Sequence, residues 1–252
     1  MVAAYRDAAY FEGGAGPGYT NYLAQEPTLR RTFRRLLRSM QSHGMTGPSS
    51  AGGPAGRLLE IGSAYGFFLD EARLFFAYRA GTEFSEAGAA VASRSADRIY
   101  VGGLEALPDS AHGGLFDTIV LIHTIEHVYD PVALLRGLMQ HLAPGGWIVL
   151  ATPEMGGFWR PLLGRHWPFW KPPEHVAYYD ARSLRDLLQR SGCVEVRRMP
   201  YVSYFPLSLV REKLTPWRKP AAEEVGGGAG ASGLAVWMPA TTVAAAGRRP
   251  LA

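Results

Sequence analysis

Two acidic residues beside a turn of small residues are the first candidates for chemistry in this chain of 252 residues. The run RLLEIGSAYG at residues 57–66 carries a short apolar strand to Glu60 and then into the turn. Glycine lets a backbone turn sharply and approach a ligand closely. Glu83 ends a second predicted strand, where a carboxylate can accept hydrogen bonds from a ribose diol. The small residues of the turn are Gly62, Ser63, Ala64 and Gly66.

The acid at position 60 indicates which nucleotide the turn receives. A dinucleotide site uses a third glycine so that a pyrophosphate can lie against the helix N-terminus, and here that place falls at Phe67 or beyond. A carboxylate at the end of the strand would repel a phosphate but attract an ammonium group. The pattern therefore predicts a cofactor with a ribose and an amino-acid tail, such as S-adenosylmethionine.

Four segments in order resemble those of class I S-adenosylmethionine-dependent methyltransferases, of the branch with ubiquinone-biosynthesis-type, polysaccharide-cluster and natural-product-cluster enzymes. The segments are 59–66, 81–85, 116–131 and 142–153, and a later match at 173–184 belongs to the same branch. Two departures stand out. Ala64 holds the middle of the glycine turn, and the place where the family usually carries an adenine-binding acid reads GGLE, so this acid is absent or moved to Glu105.

The resemblance implies an α/β fold with a Rossmann-like, doubly wound, seven-stranded and mostly parallel sheet whose last hairpin is reversed. Alternating patterns agree with it, because strand–helix alternation is typical of a parallel sheet. Helices are predicted from Pro27 to Met40, after Asp130 and after Asp180. Strands are predicted near 57–61, 78–82, 98–101, 117–122, 146–152, 194–198 and 241–247.

The expected organisation is a cap and linker at 1–56 followed by a cofactor-binding core at 57–252. Within this core, 154–179 forms an aromatic-rich lid insert and 221–233 a flexible loop. S-adenosylmethionine is the expected cofactor and S-adenosylhomocysteine its product. Phe84 and the Leu104–Glu105 pair would enclose the adenine. The predicted cofactor-binding residues are Glu60, Gly62, Ser63, Ala64, Gly66, Glu83, Phe84, Leu104, Glu105 and His123.

The lid insert follows the carboxyl end of a central strand, where ligands bind in open α/β sheets. Its large aromatic side chains suit a pocket wall over the methyl acceptor, although they could also simply pack onto the core. The predicted acceptor-binding residues are Trp159, His166, Trp167, Trp170 and Tyr178.

Methyl transfer needs an acceptor held in line behind the methyl group, and positioning alone supplies much of the acceleration. A hydroxyl acceptor also benefits from a base that works near neutral pH, which histidine provides. His175 in the lid is the first candidate and His127 the second. A structural role at a strand-to-helix junction stays open for His127.

We expect transfer to a hydroxyl oxygen of a sugar, polyketide, quinone or other small secondary metabolite. One alternative is modification of RNA or protein, suggested by the arginines of the 27–40 helix. The segment 152–154 lacks the Asn/Asp-Pro-Pro-aromatic signature of nitrogen methylation on bases. The other alternative is a cofactor-binding protein without methyl transfer, such as a cyclase.

The composition of the chain excludes several kinds of site and of protein. The single Cys193 excludes an internal disulfide and a cysteine-rich zinc site, and no metal is expected. No apolar run approaches the ~20 residues that span a membrane, and charged residues interrupt the first dozen residues, which is unlike a signal peptide. We therefore expect a cytoplasmic monomer or homodimer. A net charge of +4 is too small to indicate a nucleic-acid partner.

Overall fold

The computed structural model describes residues 22–47, 53–109, 113–167, 169–207 and 235–251, so the predicted loop at 221–233 lies outside the described residues. Helices and strands alternate through the core, as the sequence patterns predict. The helices are α1 (Glu26–Ser42), α2 (Phe67–Ala72), α3 (Glu86–Ala92), α4 (Pro131–His141), α5 (Trp159–Leu163) and α6 (Ala181–Arg190). The strands are β1 (Arg57–Ile61), β2 (Tyr78–Glu83), β3 (Arg98–Val101), β4 (Phe116–Ile122), β5 (Leu142–Pro153), β6 (Glu195–Met199), β7 (Ser203–Pro206), β8 (Ala235–Met238) and β9 (Thr242–Arg248).

Seven strands form one sheet in the order β3-β2-β1-β4-β5-β9-β6. Strands β1 to β5 pair in parallel, and β9 runs antiparallel to both β5 and β6. The predicted Rossmann-like sheet with a reversed final strand is confirmed. Strands β1 and β4 lie side by side at the centre, so their carboxyl ends meet at one edge together with that of β2. Ligands bind at this edge in open α/β sheets.

Capping residues explain where two helices of the core begin. The Asp130 side chain accepts a hydrogen bond from the Ala133 N–H at 2.9 Å, and Pro131 follows in the first turn. Asp180 forms a capping box with Ser183 at the start of α6. Both helices therefore begin where the sequence predicts. No helix in the described part of the chain is long and apolar enough to cross a membrane.

Helix α1 packs its apolar side against the core and lies beside α2. Phe33 meets Phe68 of α2 edge to face at 5.5 Å between ring centroids. The separate two-stranded sheet β7–β8, which the sequence patterns did not predict, packs on the same helix, because the Thr32 hydroxyl accepts the Tyr204 N–H at 3.0 Å. Buried residues of α1 are Thr28, Thr32, Phe33, Leu36, Leu37 and Met40.

Three arginines of α1 contact other side chains of the same molecule. Arg30 lies 2.6 Å from Asp70 and 3.0 Å from Glu71, and Arg34 also binds Glu71. Arg31 stacks over the Tyr204 ring at 4.1 Å. These contacts hold the cap onto α2 and β7, which gives three of the arginines a structural partner.

We predict that Glu71→Ala lowers the free energy of unfolding by about 2 kcal/mol, because two arginines lose a nearly buried acceptor and hydrogen bonds to charged groups contribute ~1.5–3 kcal/mol. Urea denaturation measures this change. Arg38→Ala on the exposed side of the same helix is the matched control and should stay within about 0.5 kcal/mol of the parent protein. Equal stability of the two variants would show that the arginine cluster does not hold the cap.

Candidate functional site

The turn after β1 adopts left-handed backbone angles at three positions. Gly62 and Gly66 have φ of 77° and 79°, and Ala64 between them has φ of 48°. A Cβ at position 66 would lie 2.9 Å from the Ala92 Cα, so only glycine fits there. Left-handed φ costs about 1–2 kcal/mol at a non-glycine residue. Ala64 is therefore a strained residue in the turn that was predicted to meet the cofactor.

Glu83 fixes this turn from the end of β2. Its carboxylate accepts the Ala64 N–H at 2.8 Å and the Ser85 N–H at 2.9 Å, and only 5% of the residue is exposed. Burial raises the pKa of Glu83, while the backbone hydrogen bonds act against that rise. An ionised carboxylate offers about four acceptor positions, so Glu83 can bind the turn and still accept from a ligand.

Glu60 is buried at the end of β1 and is 4% exposed. Its Oε2 has no hydrogen-bond partner among the described residues, and neither has the hydroxyl of Ser63 in the turn. Burial raises the pKa of Glu60 well above its ordinary value of 4.5, and the charge of Glu83 raises it further. A cationic group bound here would supply the missing partner and relieve both effects.

Of the residues predicted to enclose the adenine, Phe84 follows β2, and Leu104 and Glu105 follow β3. The Phe84 ring is close to Gly103, where an added Cβ would lie 3.0 Å from Cζ of the ring. Glu105 accepts the Gly103 N–H at 2.9 Å, and Leu104 fills the space beside Gly137 of α4. The contact of Phe84, Leu104 and Glu105 with an adenine stays a prediction.

His123 occupies the end of β4 beside the glycine turn. The next residue, Thr124, donates its hydroxyl to the Ile61 carbonyl at 3.0 Å, which joins this corner to β1. His123 has φ of 51°, in the left-handed region. Its ring stacks on Phe169 at 6.0 Å and meets the edge of Tyr201 at 6.5 Å between centroids.

Glu126 lies behind His123 and is 1% exposed. Its Oε1 is 3.4 Å from Nδ1 of His123, and its Oε2 accepts the Thr152 hydroxyl at 2.9 Å. Burial by itself raises the pKa of a carboxyl group, but the contacts with His123 and the nearby His127 outweigh it and lower the pKa of Glu126. Glu126 is therefore a buried anion at neutral pH.

The two predicted catalytic histidines lie together, next to Glu126. The His127 and His175 rings are 4.8 Å apart, and Nδ1 of His127 lies 2.9 Å from the Glu174 carbonyl oxygen. His175 is 7% exposed, its Nδ1 has no partner among the described residues, and burial lowers its pKa to about 4. His175 is therefore neutral at pH 7 and a weak proton acceptor.

Glu126, His127 and His175 also form a set of side chains of the kind that bind metals, with ligand atoms within 4.8 Å of one another. Zinc ligands lie at ~2.1 Å from the ion, so two of them cannot be more than ~4.2 Å apart. Ligand atoms that lie within 4.8 Å of one another are near that limit, and we assign no ion to these three side chains.

The aromatic insert divides into two groups. Trp167 is 2% exposed and lies 5.4 Å from Phe169, on the side of His123. Trp170 stacks on Tyr178 at 5.0 Å, nearer the surface. Trp159 donates its indole N–H to the Pro239 carbonyl at 2.6 Å, and the side chain of His166 lies outside the described part of the structure.

Sequence reasoning missed two features of this site. The first is the proximity of Glu126 to His123, three residues earlier. The second is Tyr201, which no local pattern marks. The spacing of His123 and Glu126 across the tight turn after β4 was the one usable signal.

Comparison with known proteins agrees with this geometry. Residues 25–197 match the family described as a methyltransferase domain. A ubiquinone biosynthesis O-methyltransferase of Marinobacter nauticus is 25% identical over 167 residues, covering 61% of this chain and 70% of that protein. An enzyme of the same name from Cereibacter sphaeroides is 26% identical over 152 residues, covering 56% of this chain and 62% of that protein.

Solved structures share the fold. A SAM-dependent methyltransferase of Thermotoga maritima, described as a possible histamine N-methyltransferase, has a TM-score of 0.58 at 18% identity and covers 90% of this chain and 92% of its own. Magnesium protoporphyrin IX methyltransferase of Synechocystis with bound S-adenosylhomocysteine has a TM-score of 0.55 at 12% identity, covering 93% and 90%. With the family match spanning more than half of the sequence, the chain belongs to the class I S-adenosylmethionine-dependent methyltransferases.

Proposed function

We propose that this enzyme transfers a methyl group from S-adenosylmethionine to a hydroxyl oxygen of a small, ring-bearing acceptor. The observation that carries the proposal is the aromatic wall at the end of β4, where Phe169 and Tyr201 surround His123 next to the glycine turn. Aromatic side chains with a few polar groups are typical of small-molecule sites. The relatives named for ubiquinone biosynthesis and for a magnesium porphyrin support a ring-bearing acceptor.

The turn fits the cofactor through its charges. The unpaired, buried Glu60 carboxyl suits the ammonium group of the amino-acid tail, and Glu83 suits the ribose hydroxyls. The glycine turn with Ser63 would hold the tail, and Phe84 with the 104–105 segment the adenine. When bound, S-adenosylmethionine supplies an electrophilic methyl group on a sulfonium sulfur.

The acceptor would lie between this turn and the insert at 154–179, with Trp167 and Phe169 nearest and Trp170 and Tyr178 at the rim. Excluding water here strengthens electrostatic interactions in the site. The proposed role of His175 and His127 is structural: they support this wall, because His175 is buried and both side chains lie against Glu126. A more exposed group would then act as the base.

The feature that suggested the RNA-modifying alternative is weakened, because three arginines of α1 have partners within the molecule. Arg30, Arg31 and Arg34 are bound to acidic or aromatic side chains of the same molecule. No contact in the described residues favours the cyclase alternative either.

A transfer assay with methyl-labelled S-adenosylmethionine tests the proposal. The panel holds phenols, catechols, hydroxyquinones, sugars and total RNA. We expect label on a ring-bearing hydroxyl compound and none on RNA. Glu83→Ala should lose the transfer and weaken S-adenosylhomocysteine binding by on the order of 10–100-fold, because two ribose hydrogen bonds of ~1 kcal/mol or more disappear.

Glu86→Gln is the matched control, since it removes a carboxylate from the exposed first turn of α3 and should leave both readouts unchanged. Label that enters only RNA would contradict the proposed acceptor class while leaving the cofactor assignment standing. Glu83→Ala with unchanged affinity would contradict the cofactor assignment itself.

Glu60 predicts how stability depends on pH in the cofactor-free protein. The folded state keeps a proton on Glu60 at pH values where the unfolded chain, with a pKa near 4.5, has released it. The stability that Glu60 contributes is therefore complete below pH 4.5 and falls as pH rises toward the folded-state pKa. The slope is about 1.4 kcal/mol per pH unit within that window.

Glu60→Gln removes this titration. As the pH rises above 4.5, we expect the variant to gain stability relative to the parent protein. Urea denaturation at a series of pH values measures the free energy of unfolding of both proteins. The variant should also bind S-adenosylhomocysteine more weakly. A difference that does not change with pH would mean that Glu60 titrates normally.

A further inference from the structure

We propose that His123 accepts the proton of the acceptor hydroxyl, and that Glu126 is the buried carboxylate that orients its ring. This inference rests on the proposed methyl transfer to oxygen and names the residue that makes the oxygen nucleophilic. Neither the cofactor turn nor the buried His175 supplies that role.

The backbone places His123 at the meeting point of three elements. Its N–H bonds the Ala151 carbonyl of β5 at 2.8 Å, and Thr124 ties the following residue to the end of β1. The φ of 51° is uncommon for a residue with a side chain. Strained backbone angles persist where surrounding contacts enforce them, and they cluster at functional sites.

Glu126 is held rigidly enough to orient a histidine. Thr152 binds one carboxylate oxygen, and the backbone carbonyl of Glu126 accepts the N–H groups of Val176 and Ala177 at 2.9 and 3.1 Å. The other carboxylate oxygen is turned to Nδ1 of His123 at 3.4 Å. At this distance Oε1 forms no hydrogen bond with a described residue, but catalytic contacts are often long in ligand-free enzymes and tighten when substrate binds.

Exposure separates His123 from the other histidines of the site. A quarter of the His123 side chain is exposed, and the ring forms part of the aromatic wall with Phe169 and Tyr201. His175 is 7% exposed. His127 directs its Nδ1 to the Glu174 carbonyl, away from that wall. Of these three side chains, His123 is the one that both touches a buried carboxylate and reaches the aromatic wall.

A carboxylate at Nδ1 fixes the neutral imidazole with its proton on Nδ1 and its lone pair on Nε2. An acceptor hydroxyl would donate to Nε2. Its O–H bond then breaks, the proton joins Nε2, and the electron pair stays on the oxygen, which becomes the nucleophile. The imidazolium formed is stabilised by the Glu126 anion and returns its proton to solvent through the exposed side of the ring.

The tautomer of His123 can be measured in the absence of a methyl acceptor. Nitrogen-15 NMR of the histidine rings reports which nitrogen carries the proton, and the signals missing from His123→Asn identify residue 123. Asn is tolerated at left-handed φ, so this variant should fold. We expect the Nδ1–H form in the parent protein and a shift to the Nε2–H form in Glu126→Gln, whose amide would donate to Nδ1.

Turnover tests the chemical role. With the acceptor found in the labelled-methyl panel and saturating cofactor, His123→Asn should lower kcat by about 10²–10⁴-fold, the usual contribution of a positioned base. Its affinity for S-adenosylhomocysteine should change less than about threefold. His43→Asn, at the residue that follows α1, is the matched control and should leave kcat unchanged, with thermal stability recorded for both variants.

An Nε2–H tautomer in the parent protein would overturn the orienting role of Glu126, whether or not Glu126→Gln folds. Normal kcat in His123→Asn would overturn the role of His123 as a base. Weaker cofactor affinity with normal kcat would make it a cofactor contact instead. The NMR measurement tests the orienting role of Glu126 even if no compound of the panel is methylated. Failure of this inference is therefore distinct from failure of the proposed function.

Discussion

The structure buries a carboxylate at the end of its central strand. Glu60 ends the central strand β1 at 4% exposure, and one of its oxygens has no partner in the described part of the chain. An unpaired buried charge is unfavourable, so such a group stays protonated or binds a cation. Strands β2 and β4 flank β1 on both sides, so Glu60 ends a strand in the interior of the sheet. The same arrangement sets Glu83 and His123 beside the turn.

The segments around the sheet close this site from two directions. On one side, α1 is bound through Arg30 and Arg34 to α2, the helix that follows the glycine turn. On the other side, the Glu126 carbonyl holds the backbone of the insert at 176–177, and the Glu126 side chain meets His123. The glycine turn and the aromatic wall are therefore each held in place by a few polar contacts.

Local patterns predicted the fold well because periodicity, caps and glycine turns are local signals. The helix starts at Pro131 and Ala181 followed from Asp130 and Asp180. The pairing of β7 with β8 could not be found, because it joins residues far apart in sequence with no distinctive turn. The burial of His175 was also hidden: its neighbours Pro173 and Glu174 indicate an exposed loop, whereas its ring packs against His127 and Tyr178. The role proposed for His123 needed the turn after β4, which brings it to Glu126.

The central claim is that Glu60 gives up a proton to bind the cationic end of the cofactor. Calorimetric titration with S-adenosylhomocysteine in buffers of different ionisation enthalpy counts the protons released on binding. Between the ordinary pKa of 4.5 and neutral pH, the account predicts proton release by the parent protein and its loss in Glu60→Gln. Binding without proton release in the parent protein, or with equal release in both proteins, would contradict it.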